Sequence, residues 1–404
     1  MSHTAVLDKR IYLDYASTTP VDKKVLKKMM PFFSVSFGNP SSLYSSGRQS
    51  KQAIDKSRKE VASILNTSPT EIVFTGSGTE SDNLAILGVA RANKKNGNHI
   101  IISAIEHKAV IEATQLLKEE GFEITVLPVN KEGLIDVDEC IGAITTKTIL
   151  VSVMYANNEI GTIEPINELS EAIRKKRGLN MFPLFHTDAC QAAGYFSLNV
   201  RDLGIDLMTL NGSKIYGPKG IGILYKKEGI KIQPIVVGGG QEIGLRAGTE
   251  NVANIVGFTE ALKLVSISKE KESKRLIDLR DYFIKKINDA IPEAVLNGHK
   301  IYRLPNNINI SIPYIEGESV ILMLDELGIE AGTGSACSSY NLKPSHVLFA
   351  IGQDTNLIHG SIRFTLGKYT KKSDIDYLMS VFPNIINKLK NMSALTAKKY
   401  EQKK

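Results

Sequence analysis

From about residue 70 to residue 225 the chain alternates short apolar runs with longer stretches in which apolar and polar residues mix at helical spacing. The runs are EIVFTG, HIIISA, EITVLPV, TILVSVMYA, PLFHTDA, DLMTLNGS and GIGILY, and each reads as a strand. Most lack the alternating polar positions of a strand with one wet face. The pattern therefore predicts a parallel or mixed sheet covered by helices on both sides. In such sheets ligand-binding groups gather in the loops just beyond the strand ends, and that is where polar residues interrupt these runs. From about 250 to 295 the pattern turns helical and charged, and SISKEKESKRLIDLRDYFIKKI predicts a long exposed helix leading out of the large domain. Beyond it, NNINISIPY and SIRFTLG read as strands and ESVILMLDELG and KKSDIDYLMSVFPNIINKL as helices of a smaller α+β unit. No internal repeat or low-complexity tract is present.

At 404 residues, 42% of them hydrophobic, the chain is long enough for two domains with cores of their own. No apolar run approaches the roughly 20 residues that cross a bilayer. Only ten residues precede IYLDYA, too few for a secretory leader, so no membrane contact and a cytoplasmic location are expected. Fifty Lys plus Arg against 43 Asp plus Glu give a net charge of +7, but the basic residues are scattered. The densest run, RKKR at 174 to 177, falls on an amphipathic helix and is expected to be a solvated face. Direct nucleic-acid binding is not expected, and attraction to acidic proteins comes second. The tail AKKYEQKK is expected to fray.

Three cysteines with no C-x-x-C pair and no zinc-type spacing suggest neither disulfides nor a metal site. Cys140, in VDECIGAI, fits a half-buried helix position. His186 and Cys190, four apart in HTDAC, are too few ligands for a metal. Cys337 differs, because it sits in GTGSACSSYN among residues that leave the backbone least constrained.

The strand exits carry the chemistry. EIVFTGSGTESDN is a strand, a tight turn and a helix start, so free backbone N–H groups and the positive helix end converge at Ser77, Gly78 and Thr79, a geometry that holds phosphate. An ordinary strand-to-helix turn is an equal reading of that stretch alone. Glu106 and His107 end the next run. Asp188 closes PLFHTD, where a buried carboxylate needs a cationic partner, either a protein side chain or a protonated ring nitrogen of a ligand. Lys214 follows DLMTLNGS ahead of a glycine-rich turn. A phosphate cradle, an acid, a histidine and a lysine able to form an imine together match the needs of pyridoxal 5′-phosphate.

With those residues in place the chain resembles the cysteine desulfurases, in particular the group I (NifS/IscS-like) members of the class-V aminotransferase family of fold-type I pyridoxal-phosphate enzymes. The likeness rests on YLDYASTTP, FGNPSS, FTGSGTESDN, EHKAV, NNEIG, TDACQ, KIYGPKGIG, GGGQEIGLRAGT, EGES, GSACSS and SIRFTLG, in family order over essentially the whole chain. It implies an α/β fold: a large domain over 16–262 with a mainly parallel seven-stranded sheet, and a small domain from 1–15 and 263–404 bearing a mobile cysteine loop at 332–343. It implies that Lys214 carries the cofactor as an imine, that His107 stacks on the ring and moves protons, and that Asp188 pairs with the ring nitrogen. Asn158 and Gln191 would meet the ring's phenolic oxygen region. Gly78 and Thr79 would bind the phosphate, with Thr249 reaching over from the second subunit of a homodimer. Arg363 would grip the substrate carboxylate, assisted by Asn39.

The resemblance further implies that sulfur passes from L-cysteine to Cys337 as a persulfide, leaving L-alanine. From Cys337 it would go to acceptors such as an iron-sulfur cluster scaffold or a tRNA-thiolation carrier. No metal site of the chain's own is implied, Cys337 serving at most as a transient iron-sulfur ligand in an acceptor complex. The family reads S-x-H-K before the lysine, whereas this chain has Asn211, Gly212, Ser213 and Lys214. Both Asn211 and Ser213 can still donate to the phosphate, but serine is short and uncharged, so weaker cofactor retention is expected. A low-activity sulfur-transfer scaffold and a selenocysteine lyase-like enzyme are the competing readings.

Overall fold

The computed structural model describes residues 10–333 and 344–392. After a short strand β1 (Ile11–Tyr12) come seven that build one sheet: β2 (Ile72–Thr75), β3 (His99–Ser103), β4 (Glu123–Leu127), β5 (Thr148–Ser152), β6 (Leu184–Asp188), β7 (Leu207–Asn211) and β8 (Gly222–Lys226). Their order is β2-β8-β7-β6-β5-β3-β4. β8 runs antiparallel to both neighbours, and every other pairing is parallel. All seven apolar runs of the sequence are strands of this sheet.

Double burial follows from the period-two geometry of a strand, which sends successive side chains to opposite faces. Ile101, Val151, Phe185, Met208 and Ile223 meet Ile54, Leu65, Phe258 and Leu262 on one face. Their sequence neighbours Ile100, Ile102, Leu150, Leu184, Leu207 and Leu224 meet Leu84, Ile86, Val110 and Leu117 on the other. β4 departs from the pattern. It lies at the sheet edge, only Leu127 of its five residues is buried, and Val126 is 50% exposed.

The charged helical stretch is a 39-residue helix, Val252–Ala290. It is not simply an exposed spacer. Phe258, Ala261 and Leu262 join the core under the large sheet, whereas Leu276, Phe283 and Ile287 join a second core. That second core holds β9 (Val295–Leu296), β10 (Asn307–Ser311), β11 (Ile329–Glu330) and β12 (Ser361–Thr365). β10 pairs antiparallel with β12 and β9, and β1 pairs parallel with β11. Ile308, Ile310, Ile362 and Phe364 pack there with Leu276, Phe283 and Phe382, and with Ile11 and Leu13 from the start of the chain. Residues 13–19 therefore run from this core to the C-terminal edge of the large sheet, where Thr19 N–H bonds to Ser213 O at 2.8 Å.

Two local expectations change. Cys140 is fully rather than half buried in the helix Val137–Ala143, and burial pushes its thiol up to about 12. RKKR ends the helix Ile166–Arg177, but Arg177 turns inward to Asp206 Oδ2 at 2.6 Å, so only the preceding three basic residues form the solvated face.

Candidate active site

A cavity of about 290 Å³ opens where the strands of the large sheet end, and it is walled on the far side by the second unit. After β2 the chain turns through Gly76 and Ser77 into the helix Gly78–Asn83. The turn is held from both ends: Ser77 Oγ accepts the Glu80 N–H at 3.1 Å, and Glu80 Oε2 accepts the Gly76 N–H at 2.9 Å. Gly78 and Thr79 occupy the first helical positions, whose N–H groups have no intrahelical acceptor and whose dipole end is positive. Space at Gly78 is tight, since a Cβ there would lie 3.0 Å from Cys190 Sγ and 3.2 Å from Asn211 Cβ.

Asn211, the last residue of β7, faces this cradle. Its Oδ1 accepts both the Ser213 N–H at 3.1 Å and the Ser213 Oγ–H at 3.2 Å. A backbone N–H can only meet oxygen, so the amide nitrogen must point the other way, toward Gly78. Asn211 thus lines the cavity, while Ser213 lies outside the lining with its hydroxyl directed at Asn211.

Lys214 follows in the short helix Gly212–Lys214, and its Nζ donates to Ala16 O at 2.9 Å and Ser17 O at 2.5 Å. Opposite it, at the end of β6, Asp188 is 7% exposed and accepts the Cys190 N–H on Oδ1 at 2.9 Å. Gln191 donates to Ala16 O at 3.0 Å. Further acids lie behind and beside Asp188. Asp82 is fully buried, and desolvation, then the charge of Asp188, raises it well above the ordinary carboxylate range. Glu106 is pushed up to about 8 by burial, despite accepting Ser103 Oγ–H at 2.6 Å and Met154 N–H at 2.8 Å. His186, held between Ser152 Oγ at 2.9 Å and Thr209 Oγ1 at 3.1 Å, is driven down to about 4 by burial and stays neutral.

His107 caps the helix Lys108–Glu119, its Nδ1 accepting the Ala109 N–H at 3.1 Å. From the second unit Arg363, on β12, reaches the cavity. Its Nη2 bonds Asp14 Oδ1 at 2.7 Å, its Nη1 donates to Asn158 O at 3.0 Å, and its Nε has no hydrogen-bond partner among the described residues. Next to Asn158, Glu159 accepts the Ser345 hydroxyl, and burial lifts it to about 7. Gly78, Thr79, His107, Asn158, Asp188, Gln191, Asn211, Lys214 and Arg363 all line this cavity. Asn39 and Thr249 do not; both are exposed, Asn39 in a turn with Oδ1 on the Ser41 N–H. Cys337 and most of the glycine-serine loop lie outside the described residues.

The description of the aminotransferase class-V family matches residues 11–378. The chain belongs to that family. Among curated class-V relatives, "Cysteine desulfurase IscS" of Dictyoglomus turgidum is 50% identical over 387 residues, 96% of this chain and 97% of that protein. The protein of the same name from Methanosarcina thermophila is 48% identical, over 97% of this chain and 96% of that one. Among solved structures a "NIFS-LIKE PROTEIN" superposes with a TM-score of 0.88 at 34% identity, covering 94% of this chain and all of that one.

Class-V enzymes are pyridoxal-phosphate dependent, and the residues present fit that group. The cavity offers a primary amine at Lys214, a carboxylate at Asp188, helix-start N–H groups and the Asn211 amide in a cradle that a single Cβ would fill, and an arginine with a spare N–H. Sequence reasoning missed Asp82, Glu159 and His346 as cavity residues. Asp82 carried a faint signal, being four residues after Gly78 and so one helical turn along the same face. Glu159 comes from a turn and His346 from the first position of a short helix, and only the fold determines how they approach the cavity.

Proposed function

We propose that this protein is a pyridoxal-phosphate-dependent cysteine desulfurase, releasing L-alanine from L-cysteine and taking up the sulfur on Cys337. The observation that carries the reading is the convergence of Lys214, Asp188 and the Gly78–Thr79 cradle on one cavity that also receives Arg363. The identity of about half the residues with cysteine desulfurases over nearly the full length supports it, as does the solved structure described as "SspA in complex with cysteine", 34% identical with a TM-score of 0.79.

Bound in this cavity, the cofactor supplies an aldehyde that accepts an amine and a ring that withdraws electrons from the carbon beside it. The chain supplies the rest. Lys214 offers its amine, held ready by two carbonyl oxygens. Asp188, beside the buried Asp82 whose carboxyl is raised well above its ordinary range, would pair with the ring nitrogen. Gly78, Thr79 and the Asn211 amide hold phosphate, with Ser213 orienting the amide; donors so arranged favour a cofactor-holding enzyme over a cofactor-poor scaffold. Arg363 would bind the substrate carboxylate as a planar fork, and His107, Asn158 and Gln191, which line the cavity, would help hold the cofactor ring. Thr249 acts from the partner subunit of a homodimer, and Asn39 assists Arg363. The persulfide then passes to acceptor proteins in the cytoplasm, for cluster assembly or tRNA thiolation.

The test is borohydride reduction of the protein loaded with cofactor, followed by peptide mass spectrometry. A reduced vitamin B6 adduct on Lys214, together with equimolar alanine and sulfide from L-cysteine under reducing conditions, is expected. No adduct on Lys214 would overturn the reading, and equal turnover of L-selenocysteine and none of L-cysteine would replace it with the lyase.

A further inference from the structure

Two histidines line the cavity, and the hydrogen bonds around them give the rings opposite chemistry. His107 spends the lone pair of Nδ1 on the Ala109 N–H at 3.1 Å, so in the neutral ring the hydrogen sits on Nε2 and that nitrogen is a donor. His346 is oriented by its Nε2, 2.9 Å from the backbone oxygen of Glu106. A carbonyl oxygen can only accept, so Nε2 carries the hydrogen here too. The difference lies at Nδ1, which in His346 no described residue hydrogen-bonds.

The ring is also fixed in place. His346 opens the helix His346–Ala350, capped by Ser345 Oγ on the Leu348 N–H at 3.1 Å, and the same hydroxyl is bonded to Glu159. Val347 and Leu348 pack on Ile105, Met154 and Ile160 beside the cavity wall. Burial, together with the neighbouring Lys108 and His107, holds the imidazole below its ordinary range, partly offset by the Glu106 carbonyl. The other charged groups on the cavity are Glu159, Asp188, Lys214 and Arg363, and the adjoining helix Thr355–His359 adds only the exposed His359. His346 is therefore uncharged and basic at neutral pH.

Resting on the cysteine desulfurase reading, we infer that His346, through Nδ1, is the base that takes the thiol proton of the L-cysteine substrate. The S–H bond breaks and an Nδ1–H bond forms. The electron pair stays on sulfur, and the positive charge of the imidazolium is shared with the Glu106 carbonyl through Nε2–H. His107, its basic nitrogen already engaged, acts as a donor and as a surface over the ring. The carboxylate bound at Arg363 and the thiol at His346 fix opposite ends of the substrate.

The test uses the holoenzyme and two reactions. His346→Gln keeps an amide donor for the Glu106 oxygen but has no basic nitrogen. Desulfuration of L-cysteine is expected to fall about 100-fold, in kcat more than in KM. Exchange of the α-hydrogen of L-alanine with deuterated solvent, which involves no thiol, is expected to stay within about 2-fold, and that exchange also reports that the variant is folded and loaded. In parallel, ¹⁵N NMR of the unaltered, histidine-labelled protein should show His346 with a bare Nδ1 whose signal moves on addition of L-cysteine. Equal losses in both reactions, undiminished desulfuration, or a protonated Nδ1 in the resting protein would overturn the proposal. Wild type that exchanges L-alanine but leaves L-cysteine intact would instead overturn the desulfurase reading beneath it, and the two failures are told apart without any variant.

Discussion

Arg363 sits 3% exposed with Asp14 on one nitrogen, the Asn158 carbonyl on another and its Nε without a hydrogen-bond partner among the described residues. A lysine there would keep the charge and lose the fork, so Arg363→Lys is expected to raise KM for L-cysteine about 10-fold or more with a smaller change in kcat, read from steady-state kinetics. Cys190 lines the cavity, yet burial, then Asp188 and Asp82, holds its thiol well above the ordinary range. It and Cys140 should therefore resist iodoacetamide at pH 7.5 in the folded protein and react once it is unfolded; labelling of either in the native state, seen by peptide mass spectrometry, would contradict this. At this scale Lys214, Asp188 and His107 were legible because each directly ends or follows an apolar run. The raised carboxyl of Asp82 and the contact of Ser213 with Asn211 were not, because both depend on how neighbouring side chains are placed. Ser213 reads as a phosphate donor from the sequence, and in the structure its N–H and hydroxyl are directed at Asn211 Oδ1.

The helix Gly78–Asn83 works by close approach at its first turn. Gly78→Ala would place a methyl group 3.0 Å from Cys190 Sγ and fill the cradle. Cofactor affinity should fall at least 10-fold in a fluorescence titration, whereas affinity for pyridoxal, which lacks the phosphate, should change far less. Ser345 caps the helix His346–Ala350 and donates to Glu159; Ser345→Ala should cost about 1 kcal/mol in denaturant unfolding. The strands of the large sheet were legible because they are long, apolar and bounded by turns. β9 and β11, of two residues each, carry too little pattern to be seen. They exist because the long helix and the neighbouring strands bring those segments together.

Across the whole molecule, buried carboxyl groups set the response to pH. Glu106 and Glu164 are raised by burial to about 8 and Glu159 to about 7, against about 4.3 for a free glutamate. Between those limits the folded chain holds protons that the unfolded chain has released. The stabilisation is complete below about pH 4.3 and is lost as pH rises through 7 to 8. The thermal midpoint should accordingly decline from pH 5 to pH 8, and Glu106→Gln should flatten that decline; a midpoint rising over the same interval would contradict it. The meeting of two cores along one 39-residue helix brings Arg363 to the exits of the large sheet, and no local pattern in the sequence encodes that approach. The claim on which everything else depends is that this cavity removes sulfur from L-cysteine. Peptide mass spectrometry after incubation with L-cysteine tests it most directly. One added sulfur on the peptide containing Cys337 is expected in wild type and should be absent from Cys337→Ala and Lys214→Ala. A wild-type peptide of unchanged mass, with no alanine formed, would contradict it.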